Sequence, residues 1–294
     1  MSSAVTSPPD TPFEVSPGYW SGVLGRLRRD PVAMFALLVI IALVLMAILA
    51  PYIAPADPYR GQMLRRLRPI GTPGFPLGTD ELGRDMLSRL IYGARLSLLM
   101  GVTPVFIAFF IGSFIGIAAG FVGGRVNSVL MRTVDVFFAF PSVLLAIALS
   151  GALGAGVFNG LLSLSIVFIP PIARIAESVT TGVRRIEYVE AARASGASAL
   201  TIVRVHVLGN VLGPIFVYAT GLISVSLILA SGLSFLGLGV KPPEPEWGLM
   251  LNTLRNAIYV QPWVAALPGL MIFITSISFN LFSDGLRSAM DLKS

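Results

Sequence analysis

The chain has 294 residues and no cysteine, a single histidine, His206, and two lysines, Lys241 and Lys293. Without cysteine there is no disulfide framework, no thiol nucleophile and no thiolate metal site. One histidine cannot make a two-histidine zinc helix. Neither lysine follows the glycine pattern of a phosphate-binding loop, so the chain does not bind ATP through a P-loop of its own. Charge is scarce as well. Only 12% of residues are Asp, Glu, Lys or Arg, against about 25% in soluble domains. The net charge of +6 is spread through the connections, with no interleaving of aromatic and basic residues. It reads as topology and headgroup charge, not as a nucleic-acid footprint.

What is present is apolar sequence. Hydrophobic residues make up 55% of the chain. The uncharged run from Pro31 to Ala56 is longer than the roughly 7–15 residues of a signal-peptide core. It is long enough to cross about 30 Å of hydrocarbon as a helix. Further charge-free runs cover Leu96–Gly124, Val136–Ala173, Val205–Val240 (His206 apart) and Asn256–Ser283. Val136–Ala173 is too long for one span, and GALGAGVFNG, Gly151–Gly160, breaks it in two. The expectation is an all-α membrane protein with six transmembrane helices, because lipid leaves backbone polar groups no other partner.

Six spans place both termini on one side. Residues 1–30 read as a flexible cytoplasmic tail and 31–95 as the first span with an outer loop. Residues 96–285 read as a five-helix core and 286–294 as a cytoplasmic C-terminal tail. The inner connection holds Arg174, Arg184, Arg185, Arg193 and Arg204, which fits the positive-inside tendency. The outer loop does not fit, since it carries Arg60, Arg65, Arg66, Arg68, Arg84, Arg89 and Arg95. Within that loop, Thr79 and Asp80 suit a helix cap. Leu82, Met86, Leu87, Leu90 and Ile91 then suggest an amphipathic interfacial helix leading into the second span.

Polar residues at or inside the spans are candidate sites. Asp135, Arg174, Glu177 and Asp284 sit at edges, where capping or headgroup contact is the plain reading. Asn280 lies deeper and suits a bond across helices or a place on a transport path. Gly112, Gly116 and Gly120 recur every four residues, a pattern that lets helices approach closely. No ladder of buried carboxylates supports a proton-driven transporter, and no nucleophile–base pair supports an intramembrane enzyme.

The polar stretch EYVEAARASGASAL, Glu187–Leu200, stands between two apolar runs. Tyr188–Ser195 forms about two helical turns, favoured by Ala191, Ala192 and Ala194. Glu190 and Arg193 are spaced to interact. Gly196 ends the helix in the left-handed region, and Ser198 caps the next. Small side chains flanked by charge suit a groove on another protein, although a solvated loop helix has the same composition.

Glu190-Ala191-Ala192, three residues, then Gly196 resembles the EAA motif of bacterial ABC importer permeases. That motif ends in Ile-x-Leu-Pro; here His206 and Gly209 stand for the Ile and the Pro. GTDELGRDMLSRLIYGARLSLL, DVFFAFPSVLLAIAL, GLSFLGLGV, PPEPEWGLML and FNLFSDGLRSAMDL are similar, in order, to the dipeptide/oligopeptide/nickel permease family, C-type subunit. The resemblance covers about residues 25 to 292 and implies a type I ABC importer permease fold. It implies that Tyr188, Glu190, Ala191, Ala192, Arg193 and Gly196 couple to a cytoplasmic ATPase, and that the motif faces the cytoplasm. The implied partners are a homologous B-type permease subunit, two ABC ATPase domains and an extracytoplasmic substrate-binding protein. The implied setting is the lipid bilayer of the bacterial cell membrane, with both termini cytoplasmic. ATP and Mg would sit on the ATPases, with no cofactor, metal or catalytic residue in this chain. Asn280 and Asp135 remain candidates for the path or for helix packing. The implied cargo is a di- or oligopeptide, with nickel, haem or another small solute as alternatives.

Overall fold

The computed structural model describes residues 19–290; residues 1–18 of the tail expected over residues 1–30, and the last four residues of the chain, lie outside the described residues. Asp30 accepts from the Val32 and Ala33 amides, and with Pro31 at the first helical position it starts an uncharged helix. That helix is α2, Pro31–Ile53, and α1, Tyr19–Arg29, precedes it. The Ser- and Pro-rich segment read as a tail through residue 30 is therefore helical from residue 19. Val23 and Leu27, four apart, are buried against Leu286 and Ala289, and Arg26 Nε donates to Ala289 O at 2.7 Å.

After the outer loop come α3, Met86–Val122, and α4, Gly124–Phe138. Next are α5, Ser142–Leu153, and α6, Val157–Arg184. The inner connection holds α7, Glu187–Ala194. The following span is α8, Ala199–Ile202, a π-helical turn at Val203–Val207 and α9, Leu208–Phe235. The chain continues through α10, Trp247–Thr253, to α11, Pro262–Met290.

Among the described residues, five helices are long and apolar enough to cross a membrane, and the α4–α5 pair, bent by 86°, makes a sixth span if taken together. The expected break between two spans falls at Gly154–Gly156 as the glycines suggest. The third span departs from a simple rod. Pro141 has no N–H and disfavours a helical residue before it, so α4 ends and α5 restarts. At about 1.5 Å per residue the 12-residue α5 rises only about 18 Å.

Lipid is as apolar as leucine, so close packing and hydrogen bonds hold such a bundle together. The Gly112–Gly116–Gly120 stripe does this between α3 and α6. A Cβ on Gly112 would lie 2.9 Å from Ile169 O, and one on Gly116 would lie 2.5 Å from Ala176 Cβ. The two backbones are in contact. Around this pair Met100, Leu164, Phe168, Ile172 and Ile215 form the main core.

α1, the start of α2 and the end of α11 meet at one end of the bundle, since Gly285 abuts Ala33 and Arg26 reaches Ala289. Val217, near the start of α9, packs into the same cluster. α7 leads into α9 and so lies at this end. The outer loop and α10 lie at the other.

The outer loop holds no separate interfacial helix. Thr79 and Asp80 build turns instead: Asp80 Oδ1 accepts from the Leu82 and Arg84 amides at 2.9 Å. The helix begins at Met86, capped by Asp85, which accepts from the Ser88 amide at 2.8 Å. The reason is electrostatic. Asp80 is buried with Arg84 at 2.6 Å and Arg89 at 3.3 Å, and Arg89 Nη1 also donates to Pro58 O at 2.9 Å. Arg95 donates to Ala47 O and Ile48 O of α2. Of the seven arginines that strained the positive-inside count, Arg84 and Arg89 are thus buried in the fold, and Arg95, though exposed, is tied to α2.

Candidate functional site

α7 is short and polar, and one side chain anchors it. Val189 is fully buried beside Ile202 and Val207, while Glu190, Ala191, Arg193 and Gly196 are exposed and Ala192 is half-buried. Glu187 and Glu190 lie in its first turn and Arg193 in its last, which matches the helix dipole. Gly196 takes φ +82°, where a Cβ would be strained. Its amide donates to Arg193 O at 3.1 Å, and Ala197 N donates to Ala192 O at 3.1 Å. This closes the helix with a left-handed cap. Ser198 Oγ then accepts from the Thr201 amide and starts α8. Tyr188 is tied down at one edge: Asn210 Nδ2 donates to its hydroxyl at 3.1 Å, and its ring lies 5.9 Å from that of His206.

The helix expected over Tyr188–Ser195 is therefore present with its stop and its successor's cap. The expected Glu190–Arg193 interaction is not formed, and among the described residues neither has an ion-pair partner. Both charges point away from the bundle, leaving a rigid two-turn helix with small Ala191, Ala192 and Ala194 between exposed charges. Such a surface can seat in a groove and transmit a push, because α6 and α8 grip it at both ends.

The other candidates separate. Asp135 on α4 pairs with Arg174 on α6, and both side chains are about half exposed. Glu177 accepts from Asn127 Nδ2 at 2.6 Å and Thr181 Oγ1 at 3.0 Å, so it ties α4 to α6. Asn159 donates to Leu153 O and Gly154 O and closes the end of α5. Asn280 makes no bond across helices; it is exposed and lines a cavity of about 190 Å³ with Tyr218, Ser283, Asp284 and Arg287. A second cavity, of about 270 Å³, lies at the α4–α5 bend among Phe137, Phe138, Phe140, Phe168, Pro170 and Pro171.

Sequence reasoning missed Glu246 and Trp247. Glu246 is buried and accepts from the Gly248 and Leu249 amides at 2.8 Å, capping α10. Trp247 Nε1 donates to Leu90 O at 3.0 Å, and its amide donates to Ser97 Oγ at 3.1 Å. These bonds fasten α10 to α3. The visible signal was an acidic residue directly before a tryptophan at the start of the apolar run Trp247–Leu251.

A helical bundle with a bent span and an exposed helix between two spans has the architecture of a multi-pass membrane protein. Residues 112–293 match the family model of the binding-protein-dependent transport system inner membrane component. Residues 18–69 match that of the N-terminal TM domain of oligopeptide transport permease C. The chain is 40% identical over 298 residues to the di/tripeptide transport system permease protein DppC of Pseudomonas aeruginosa, covering 100% of this chain and 98% of the relative. It is 40% identical over 274 residues to the glutathione transport system permease protein GsiD of Pectobacterium atrosepticum, covering 93% and 91%. It is 38% identical over 291 residues to the probable D,D-dipeptide transport system permease protein DdpC of Escherichia coli, covering 99% and 96%. Among solved structures, an inward-facing MetNI methionine ABC transporter aligns with TM-score 0.53 at 19% identity, covering 68% of this chain and 97% of that one. The chain belongs to the binding-protein-dependent transport system inner membrane component family, and its fold is that of a type I ABC importer permease.

Proposed function

We propose that this chain forms half of the translocation path of an ATP-driven importer of short peptides, beside a second, homologous permease subunit. A substrate-binding protein delivers the peptide at the end formed by the outer loop and α10. Two ATPase domains work at the opposite end, against α7. This reading sets both termini and α7 in the cytoplasm and gives the chain itself no bond chemistry. The relatives named for di/tripeptide, glutathione and D,D-dipeptide transport support a peptide cargo.

The observation that carries the coupling role is the exposure of Glu190, Ala191, Arg193 and Gly196 on a helix clamped between two spans. ATP binding closes the ATPases, α7 moves with them, and α6 and α8–α9 follow. A side chain at Gly196 would strain the cap and misplace the helix. In the reconstituted transporter, Glu190→Ala and Gly196→Val are expected to lower peptide uptake at least tenfold and to weaken peptide-stimulated ATP hydrolysis, with the complex still assembled. Wild-type coupling in both variants would remove α7 from the mechanism.

A further inference from the structure

We infer that a cavity at the end of the bundle opposite α7 holds both charged ends of a short peptide, Glu244 taking the ammonium and Arg95 the carboxylate. The inference rests on the peptide reading above and assigns that cargo a contact on this chain. The cavity measures about 390 Å³ and is lined by Tyr59, Tyr92, Arg95, Leu96, Val157 and Glu244. This lies within the roughly 300–1,000 Å³ of small-molecule sites. The lining joins four parts of the fold: the outer loop, α3, the start of α6 and the segment before α10.

One cation and one anion share this small cavity and form no ion pair with each other. Each lines the cavity, is fixed by hydrogen bonds to the protein and keeps one polar atom unbonded among the described residues. Arg95 spends Nε and Nη2 on the carbonyls of Ala47 and Ile48; its Nη1 has no partner among the described residues. Its guanidinium carbon lies 5.7 Å from the Tyr92 ring centroid, within the roughly 6 Å reach of a cation–π contact. Glu244 Oε2 accepts from the Tyr59 hydroxyl at 2.9 Å, and its Oε1 has no donor among the described residues. Burial and the nearby Glu244 push the Tyr59 hydroxyl above its ordinary value, so it stays a donor and holds the carboxylate in place.

The chemistry selects a class of ligand. Every unblocked short peptide carries an ammonium at one end and a carboxylate at the other, whatever its side chains. Two opposite charges held apart by apolar and aromatic walls recognise those ends, while Leu96 and Val157 accept varied side chains. A bare cation or anion would leave one of the two charges without a partner.

The test uses the whole transporter in proteoliposomes with its binding protein and compares trialanine with N-acetyl-trialanine. The binding protein is common to wild type and variant, so its own preference cancels in their ratio. Glu244→Gln is expected to raise the KM for trialanine about tenfold, as loss of a charged hydrogen bond would. The kcat should stay within about twofold, and the KM for N-acetyl-trialanine should not move. Glu244→Asp should recover part of the loss. An unchanged trialanine KM in Glu244→Gln, or an equal rise for the acetylated peptide, overturns the site. If the acetylated peptide is not carried at all, the trialanine value alone decides. A wild-type transporter that carries no trialanine overturns the peptide reading itself, which is a different result.

Discussion

Arg95 Nε donates to the carbonyl oxygen of Ala47 at 2.7 Å, four residues before Pro51. Pro51 has no N–H and cannot close the helical bond to that oxygen. The arginine of α3 supplies the missing donor to α2, and its Nη2 reaches the next carbonyl, Ile48 O, at 3.3 Å. A basic residue that looked misplaced on the outer side is thus a repair of a proline defect in the neighbouring span.

This relationship sets a double-mutant test. Arg95→Ala should lower the thermal stability of the purified complex by about 1 kcal/mol, the low end of the cost of leaving an acceptor unpaired, since the bond is only partly buried. Pro51→Ala restores an N–H to α2, so Arg95→Ala should cost measurably less in that background. Strictly additive effects in the cycle would show that the arginine does not serve this carbonyl.

The contact of α3 with α6 makes a sharper contrast between glycines. A Cβ on Gly116 would fall 2.5 Å from Ala176 Cβ and 2.7 Å from the Glu177 amide nitrogen, whereas one on Gly25 in α1 meets nothing within 4 Å. Gly116→Ala should therefore cost about 1–3 kcal/mol through overpacking. Gly25→Ala should gain about 0.5–1 kcal/mol from helix propensity. Thermal melts of the two variants side by side decide it; similar shifts would mean the stripe is not a tight helix contact.

What the sequence made legible was local. The break at Gly154–Gly156, the stop at Gly196 and the cap at Ser198 are each written in a few adjacent residues, because caps and left-handed turns depend on the chain within one turn. The spans were legible because lipid imposes length and composition. α1 was hidden because Ser, Pro and Gly dominate its surroundings, and the Val23–Leu27 spacing gains meaning only once α11 is there to cover it. The fate of Arg84, Arg89 and Arg95 was hidden for the same reason. Pairing with Asp80 happens across turns, and the carbonyls of Pro58 and Ala47 come from distant segments. Within α7, exposure of Glu190 and Arg193 was open to sequence reasoning, but their lack of an ion pair was not.

Glu246 carries a prediction about pH. Burial raises its carboxyl above the usual value of 4.5, and the amides of Gly248 and Leu249 pull only partly the other way. The folded chain therefore keeps this proton at pH values where the unfolded chain has released it. Linkage fixes the sign: the contribution is fully present below pH 4.5 and is lost as pH rises through the folded-state value. Glu246→Gln keeps one acceptor oxygen for the α10 amides and cannot titrate. Thermal unfolding of the complex, followed at several pH values from about 4.5 upward, should show wild type losing stability relative to Glu246→Gln as pH rises. Parallel profiles for the two proteins would mean that Glu246 is ionised in the fold throughout, with the Gly248 and Leu249 amides and the Ser234 and Ser97 hydroxyls that donate to it outweighing the burial.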